Sequence, residues 1–223
     1  MPRHPKEDCG GEETVIYFAT TSTREIRAAL QSNGSTMGYI TTPNSERPNA
    51  IAELGGLKWC ADNGCFSEAF DERKWWEWLS GKNPDGCVFA AAPDVVGDHA
   101  ATVTRAAPWL PKIRALGFPA AFVVQDGATP DTVPWDDCDA IFIGGTTDFK
   151  LSDTALHIMW EGKDRGKWVH VGRVNSRQRY LRFAGVADSC DGTFLAFGPR
   201  TRLPELLGWI REYHNRIPLW EGA

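Results

Sequence analysis

The sequence lacks the patterns that mark several common classes of protein. Its six cysteines form no CxxC pair, and no His/Cys spacing suggests a metal site. No apolar run approaches the roughly 20 residues that span a membrane, and none follows Met1 that could serve as a signal peptide. No GxSxG or P-loop pattern is present. We therefore expect a cytoplasmic protein with reduced thiols and with neither a metal nor a redox cofactor.

The chain also has little net charge, and that charge is unevenly distributed. The formal charge of −5 argues against a generally basic nucleic-acid binder. Between Lys163 and Arg202, however, nine Lys and Arg residues stand against only three acidic residues, so this segment carries +6. We expect a local basic surface that suits a substrate carrying phosphates. A helix face that is merely solvated is the alternative.

Short apolar stretches alternate with amphipathic ones along most of the chain. At 223 residues the length fits one domain, with a polar tail over residues 1–13 and one domain over residues 14–223. Apolar runs predict eight strands, at residues 15–19, 37–40, 57–61, 87–91, 120–124, 140–143, 169–172 and 185–187. Helices are predicted over residues 24–30, 49–54, 72–79, 99–116, 153–161, 177–183 and 203–214. The helix over residues 99–116 should kink or split, because Pro108 and Pro111 each remove a backbone donor.

This alternation predicts a single, compact (β/α)8 TIM barrel of the α/β class. A doubly wound open sheet is the alternative, although no GxGxxG turn follows the first strand. In a barrel, the polar residues that follow the strands would meet at one mouth. They are Asp62, Asp94, Gln125, Gly144, Gly145, His170 and Asp188.

Several carboxylates in one mouth will not share a single pKa, because burial and like charges separate their values. Glycosyl chemistry requires this, since one carboxylate attacks the anomeric carbon while another shuttles a proton. Structural alternatives remain open. Asp62 could form a turn, Asp94 could cap the next helix, and His170 could be a core histidine.

Five short motifs occur in order at these strand ends: DNGCF at residues 62–66, VVQDG at 123–127, IGG at 143–145, VHVG at 169–172 and ADS at 187–189. Together they resemble the tRNA-guanine transglycosylase superfamily, and most of all its small phage and bacterial members that exchange guanine in DNA for a 7-deazaguanine. The resemblance covers about residues 57–193. The chain shows neither the zinc site nor the appended RNA-binding domain of the tRNA enzymes, which favours DNA as the substrate.

The resemblance implies a pentosyltransferase that replaces guanine in DNA by a 7-deazaguanine of the preQ0 type through a covalent aspartyl-sugar intermediate. Asp188 would be the nucleophile, with Asp191 as its rival, and Asp62 would handle the proton. The base would be bound by Asp94, Gln125, Gly144, Gly145, His170 and Gly172. The phosphates of the nucleic acid would be held by Arg173, Arg177, Arg179 and Arg182.

The implied partners are DNA, the free 7-deazaguanine base and either an accessory protein or a second copy of the chain. A dimer is considered because Trp75, Trp76 and Trp78 lie together in one helix, where they could also pack on the barrel or stack on nucleobases. Three other functions stay open: base exchange in tRNA, hydrolysis of a nucleoside or of DNA by an N-glycosidase, and non-catalytic binding of nucleic acid.

Overall fold

The computed structural model of the protein describes residues 15–46, 53–67 and 70–216. The tail predicted over residues 1–13 lies outside these ranges, as does most of the helix predicted over residues 49–54. The strands are β1 Ile16–Ala19, β2 Met37–Thr41, β3 Trp59–Ala61, β4 Cys87–Ala91, β5 Ala120–Val124, β6 Ala140–Ile143, β7 Trp168–Val171 and β8 Ser189–Asp191. The α-helices in the described ranges are α1 Arg24–Ser32, α2 Glu72–Ser80, α3 His99–Ala106, α4 Leu110–Ala115, α5 Thr147–Leu151, α6 Asp153–Asp164, α7 Arg177–Phe183 and α8 Pro199–Arg216.

The strands form a closed parallel barrel in the order β1 to β8, which confirms the predicted (β/α)8 fold. The barrel closes where β1 pairs with β8, and this register places Phe18 beside Asp191. Because all strands are parallel, their carboxyl ends meet at one face, where active sites of this fold are built.

Side chains alternate between the inside and the outside of the barrel. Phe18, Cys60 and Phe89 belong to the inner cluster, whereas Val169, Val171 and other outward residues pack beneath the helices. The ring of His170 lies inside, with its centroid 4.5 Å from that of Phe142 and 4.9 Å from that of Phe89. The inward-facing residues nearest the carboxyl ends of the strands are therefore the ones that can line a site.

The tryptophan-rich helix α2 packs within its own chain. Trp75 is 1% exposed and lies edge-on to Trp109 at 5.2 Å between ring centroids. Trp78 donates its indole N–H to the Glu46 carboxylate. Packing onto the barrel thus accounts for the cluster, and a dimer stays a prediction. The helix predicted over residues 99–116 is split into α3 and α4 around Pro108, as expected.

The last strand differs from the prediction. It covers Ser189–Asp191 rather than residues 185–187. The amides of Val186 and Ala187 instead donate to the Phe183 carbonyl and close the turn after α7. The side chains of Val186 and Ala187 are buried in this turn. The apolar run that predicted a strand therefore belongs to a buried turn. Asp188 consequently precedes the strand instead of following it.

Within the described ranges, no helix is both long enough and apolar enough to cross a membrane.

Candidate active site

Two carboxylates share the upper layer of the barrel interior. Asp62 directly follows β3, and Asp191 is the last residue of β8. Alternation from the inward-facing Cys60 and Ser189 points both side chains to the mouth. The pKa of Asp62 is raised from 3.8 to about 7, chiefly by burial and then by the negative charges of Asp191 and Asp94. Hydrogen bonds from the amides of Gly64 and Asn63 oppose this rise without cancelling it. At neutral pH, Asp62 is therefore able to hold a proton.

Asp191 has the opposite surroundings, because N–H groups point at its carboxylate. One of its oxygens lies 3.1 Å from His170 Nε2 and accepts from the Arg173 amide at 3.2 Å. Contacts of this kind are the ones that a carboxylate oxygen accepts. The two carboxyls of the mouth thus have different surroundings, with burial and negative charge around Asp62 and N–H groups facing Asp191.

The histidine is itself oriented by a chain of hydrogen bonds inside the barrel. The indole of Trp168, which can only donate, lies 2.8 Å from Ser189 Oγ. Ser189 Oγ lies 2.8 Å from His170 Nδ1. For a neutral imidazole beside an ionised Asp191, the ring proton sits on Nε2 because a carboxylate only accepts, and Nδ1 then accepts from the serine hydroxyl. The chain of contacts therefore connects the barrel interior to the carboxylate at the mouth.

Asp94 and Gln125 are brought to the mouth but are bonded to other parts of the protein. The two oxygens of Asp94 accept from Asn63 Nδ2 at 2.8 Å and from Gln125 Nε2 at 2.5 Å. The carbonyl oxygen of Gln125 accepts from the Gly97 amide at 2.9 Å. Burial is the main cause of the raised pKa of Asp94, and the bonds from Asn63 and Gln125 oppose it. These contacts join the loops after β3, β4 and β5 and fix the walls of the site.

Two cations border the carboxylates. Lys150 is only 5% exposed, and its Nζ donates to the Gly172 carbonyl at 2.9 Å. Burial lowers the pKa of Lys150 to about 8, and the charge of Arg173 contributes. Arg173 donates to the Gly145 carbonyl at 2.5 Å, and its guanidinium lies 4.7 Å from the ring centroid of Phe66. A positive wall thus stands beside Asp191.

The residues at the ends of β6 and β7 have tightly constrained backbones. Gly145 has φ +72°, and a Cβ there would lie 2.4 Å from an Asp126 oxygen. A Cβ at Gly172 would lie 2.4 Å from the Phe142 ring. Arg173 has φ 60°, which is uncommon for a residue with a side chain. Its strained backbone aims its amide at Asp191, as often happens at functional sites.

Asp188 lies at the other end of the barrel, so the placement predicted for it is wrong. Its carboxylate pairs with Lys163 and accepts from the Val169 amide at 2.7 Å. Its own amide donates to the Val169 carbonyl at 2.8 Å. Asp188 therefore joins β7 to the turn before β8 at the amino-terminal face of the barrel. The aspartate that lies at the mouth is Asp191, the predicted alternative.

The predicted arginines fall into different surroundings. Arg177 forms a two-pronged ion pair with Glu212 on α8. Arg182 donates to the Leu151 carbonyl at 2.6 Å, and Arg179 lies 3.5 Å from Thr147 Oγ1. Arg177 is thus paired with an acid, whereas Arg179 faces the first residue of α5. Binding of DNA phosphates by these residues stays a prediction.

In the part of the chain that the structure describes, no group of three or more His, Cys, Asp or Glu side chains could hold a metal ion. His170 meets one carboxylate and one hydroxyl, and Cys65 donates its amide to Asn63.

Similar structures share the barrel at low sequence identity. The chain matches tryptophan synthase from M. tuberculosis in an aminoacrylate-bound form with 16% identity, 90% coverage of each chain and a TM-score of 0.55. A ligand-free form of that enzyme matches with 16% identity, 90% coverage of each chain and a TM-score of 0.50. A mandelate racemase/muconate lactonizing protein from Herpetosiphon aurantiacus matches with 14% identity and a TM-score of 0.50, over 81% of this chain and 54% of that one. No protein-family model and no curated protein matches the chain. At these identities the likeness shows the fold.

These neighbours overturn the resemblance to guanine transglycosylases. They are tryptophan synthase and a mandelate racemase/muconate lactonizing protein, and no family model supports the motif order. The predicted exchange of guanine for a 7-deazaguanine in DNA, and the pentosyltransferase class with it, are wrong. In this chain the IGG motif forms the tight turn after β6, and the VHVG motif forms most of the buried strand β7.

Sequence reasoning missed Lys150. It lies in the five-residue helix α5 between Phe149 and the exposed Leu151, and nothing in the pattern separates it from a solvated lysine. Only the closure of the barrel brings it to the Gly172 carbonyl.

Proposed function

We propose that the chain is an enzyme that transfers protons by general acid–base catalysis on a small polar substrate, with Asp62 as the acid and Asp191 as the base. The observation that carries the proposal is the contrast between these carboxyls in one mouth. Burial and neighbouring charge favour the protonated form of Asp62, while N–H donors face the Asp191 carboxylate. Paired carboxyls in contrasting environments are typical of acid–base sites.

The location supports the proposal. Both residues are at the carboxyl ends of strands, which is where barrel enzymes place their catalytic groups. They come from β3 and β8, so a substrate held between them would meet an acid from one wall and a base from another. The fixed network of Asp94, Gln125 and Asn63 holds the β3 wall, and His170 holds the β8 wall. Such preorganisation keeps reacting groups aligned without rearrangement.

The reaction class follows from the groups present. Asp191 would remove a proton from carbon or oxygen, and Asp62 would deliver one to a developing negative charge, as in isomerisation or in elimination from a small molecule. This assignment uses the chain's own side chains alone.

The first experiment follows the proton on Asp62 directly. Carboxyl ¹³C NMR of the aspartate-labelled protein should show a group with a midpoint near pH 7, which is lost in Asp62→Asn and moves to lower pH in Asp191→Asn. The movement is expected because removing the charge of Asp191 removes part of what raises the pKa of Asp62. Asp137→Asn, at an exposed site, is the matched control. A midpoint below about pH 5 for Asp62, near the ordinary value for aspartate, would remove the proposed acid.

The second experiment looks for chemistry. The protein is incubated in D₂O with a panel of small phosphorylated and carboxylated carbon acids, and exchange of C–H for C–D is followed by ¹H NMR. Exchange should fall by about 100-fold or more in Asp191→Asn, as for loss of a general base. Donation by Asp62 should decline as pH rises through 7, because Asp62 then loses its proton. Exchange that survives in both Asp62→Asn and Asp191→Asn would contradict the assigned roles.

A further inference from the structure

The strongest unassigned feature of the described residues is a cluster of cations between α5, α7 and the loop after β7. It comprises Lys150, Arg173 and Arg179, and the pKa of Lys150 is lowered by burial and by the positive charges of the two arginines. The carboxylates that act on Lys150 are Asp191 and Asp126. The Asp126 oxygens already accept from the Thr146 amide and hydroxyl at 2.8 and 2.5 Å. Three cations are therefore set against two carboxylates, which leaves the cluster with a net positive charge.

The buried amine has more donors than partners. Lys150 is 5% exposed, and its Nζ donates a hydrogen bond to the Gly172 carbonyl at 2.9 Å. An ammonium carries three donors, and a buried charge is costly unless it is paired. Arg173 and Arg182 likewise donate to neutral carbonyls, those of Gly145 and Leu151 respectively. Cations held by carbonyls keep their net charge and can still attract an anion.

The cluster borders a cavity. A space of about 490 Å³ is lined by Leu151, Asn175, Ser176, Gln178, Arg179 and Arg182. Arg179 and Leu151 also line a second gap, too narrow to admit a water molecule, on which Lys150 and Arg173 lie. An anion in this cavity would meet the guanidinium groups of Arg179 and Arg182 first, with Lys150 beneath. Arg177, on the same helix, points elsewhere and pairs with Glu212.

We infer that this cavity is an anion subsite that holds a phosphate group of the substrate, so that the enzyme acts on small phosphorylated molecules. The inference rests on the proposed function for the neighbouring carboxylates and adds the class of substrate. Phosphate fits better than a carboxylate because several cations converge, and because tetrahedral oxygens can accept from guanidinium groups on different elements at once.

The test is binding of inorganic phosphate to the whole protein by calorimetry, with acetate as the carboxylate arm and a short DNA duplex as the nucleic-acid arm. Phosphate should bind at millimolar concentration and acetate about tenfold more weakly. Arg179→Gln should weaken phosphate binding about tenfold, as expected for loss of a charged hydrogen bond. Arg177→Gln on the same helix should leave it unchanged.

A pH series isolates the contribution of Lys150. Phosphate affinity of the unchanged protein, taken relative to that of Lys150→Met at the same pH, should fall between pH 7 and 9 as Lys150 loses its proton. The comparison is made at each pH because inorganic phosphate and Asp62, whose pKa is about 7, also change charge near the start of this range. The other charged groups that act on the amine are Arg173, Arg179, Asp191 and Asp126, and all of them are present in both proteins. Should Lys150→Met not fold, the comparison of Arg179→Gln with Arg177→Gln still decides.

Several results would overturn the inference: no phosphate binding at millimolar concentration, equal binding of acetate, equal weakening by Arg177→Gln, or binding of the duplex without binding of phosphate. The outcome is separable from that of the proposed function. Phosphate should still bind to Asp62→Asn, which lacks the acid, so phosphate binding without proton exchange would leave the subsite standing and reject the chemistry.

Discussion

Replacing Asp62 by asparagine should make the protein more stable at pH 8 and change it little at pH 4. In the folded protein the pKa of this carboxyl is about 7 against an ordinary 3.8. As pH rises from 4 to 7, the unfolded chain gives up the Asp62 proton while the folded chain retains it. Stability therefore falls with pH over that window and stays lowered above it. Asparagine has no proton to lose, so the variant escapes this cost.

The magnitude follows from the shift. A rise from 3.8 to about 7 corresponds to about 4 kcal/mol at 1.36 kcal/mol per unit. Because Asp62 is partly exposed, solvent screening reduces this value, and we expect about 2 kcal/mol. For a domain of this size that is an increase of about 6 °C in Tm.

The assay is thermal unfolding of the unchanged protein and of Asp62→Asn at pH 4, 6 and 8. The gain should grow with pH and level off near pH 8. Asp137→Asn, at an exposed position with no comparable environment, should show no such growth. A gain equal at all three values, or a loss of stability at pH 8, would refute the argument that this carboxyl is held protonated by burial and neighbouring charge.

Two further predictions concern residues outside the proposed chemistry. Asp188→Asn should lower the free energy of unfolding by about 2 kcal/mol, because it leaves Lys163 partly buried without its charge partner, while Lys163→Met together with Asp188→Asn should recover part of this in chemical denaturation. Gly145→Ala should lower the free energy of unfolding by about 2 to 3 kcal/mol, since φ is +72° and the new Cβ would lie 2.4 Å from an Asp126 oxygen. Gly166→Ala is the matched control, because φ is +69° there but a Cβ would have nothing within 4 Å. It should lower the free energy of unfolding only by the backbone strain of about 1 kcal/mol.

The sequence was enough to predict the barrel because most strands are short, apolar and bounded by turn residues. Strands β1 to β7 lie where apolar runs predicted them, and buried parallel strands have that composition on both faces. The prediction of β8 failed because its inward residues, Ser189 and Asp191, are polar. Both side chains form hydrogen bonds with His170 on the neighbouring strand. Hydrophobic periodicity cannot detect a strand whose inward side chains are polar and hydrogen-bonded.

The site was predicted less completely than the fold. Asp62, Asp94 and Gln125 were placed at the mouth correctly, since each directly follows an apolar run. Their bonding could not be predicted, because the contact between Asp94 and Gln125 joins residues 31 positions apart. The error at Asp188 followed from the misplaced strand, since a shift of a few residues exchanges one end of a barrel for the other.

The hydrogen-bonded chain from Trp168 through Ser189 and His170 to Asp191 has a consequence for how this barrel can change over time. In many barrels the lower interior can be repacked with different apolar side chains while the mouth acquires new chemistry. Here, replacing Ser189 would leave Nδ1 of the buried His170 without its partner, and replacing Trp168 would remove the indole N–H that donates to Ser189 Oγ. New activities on this scaffold would therefore have to preserve a polar core, or replace all of its members together.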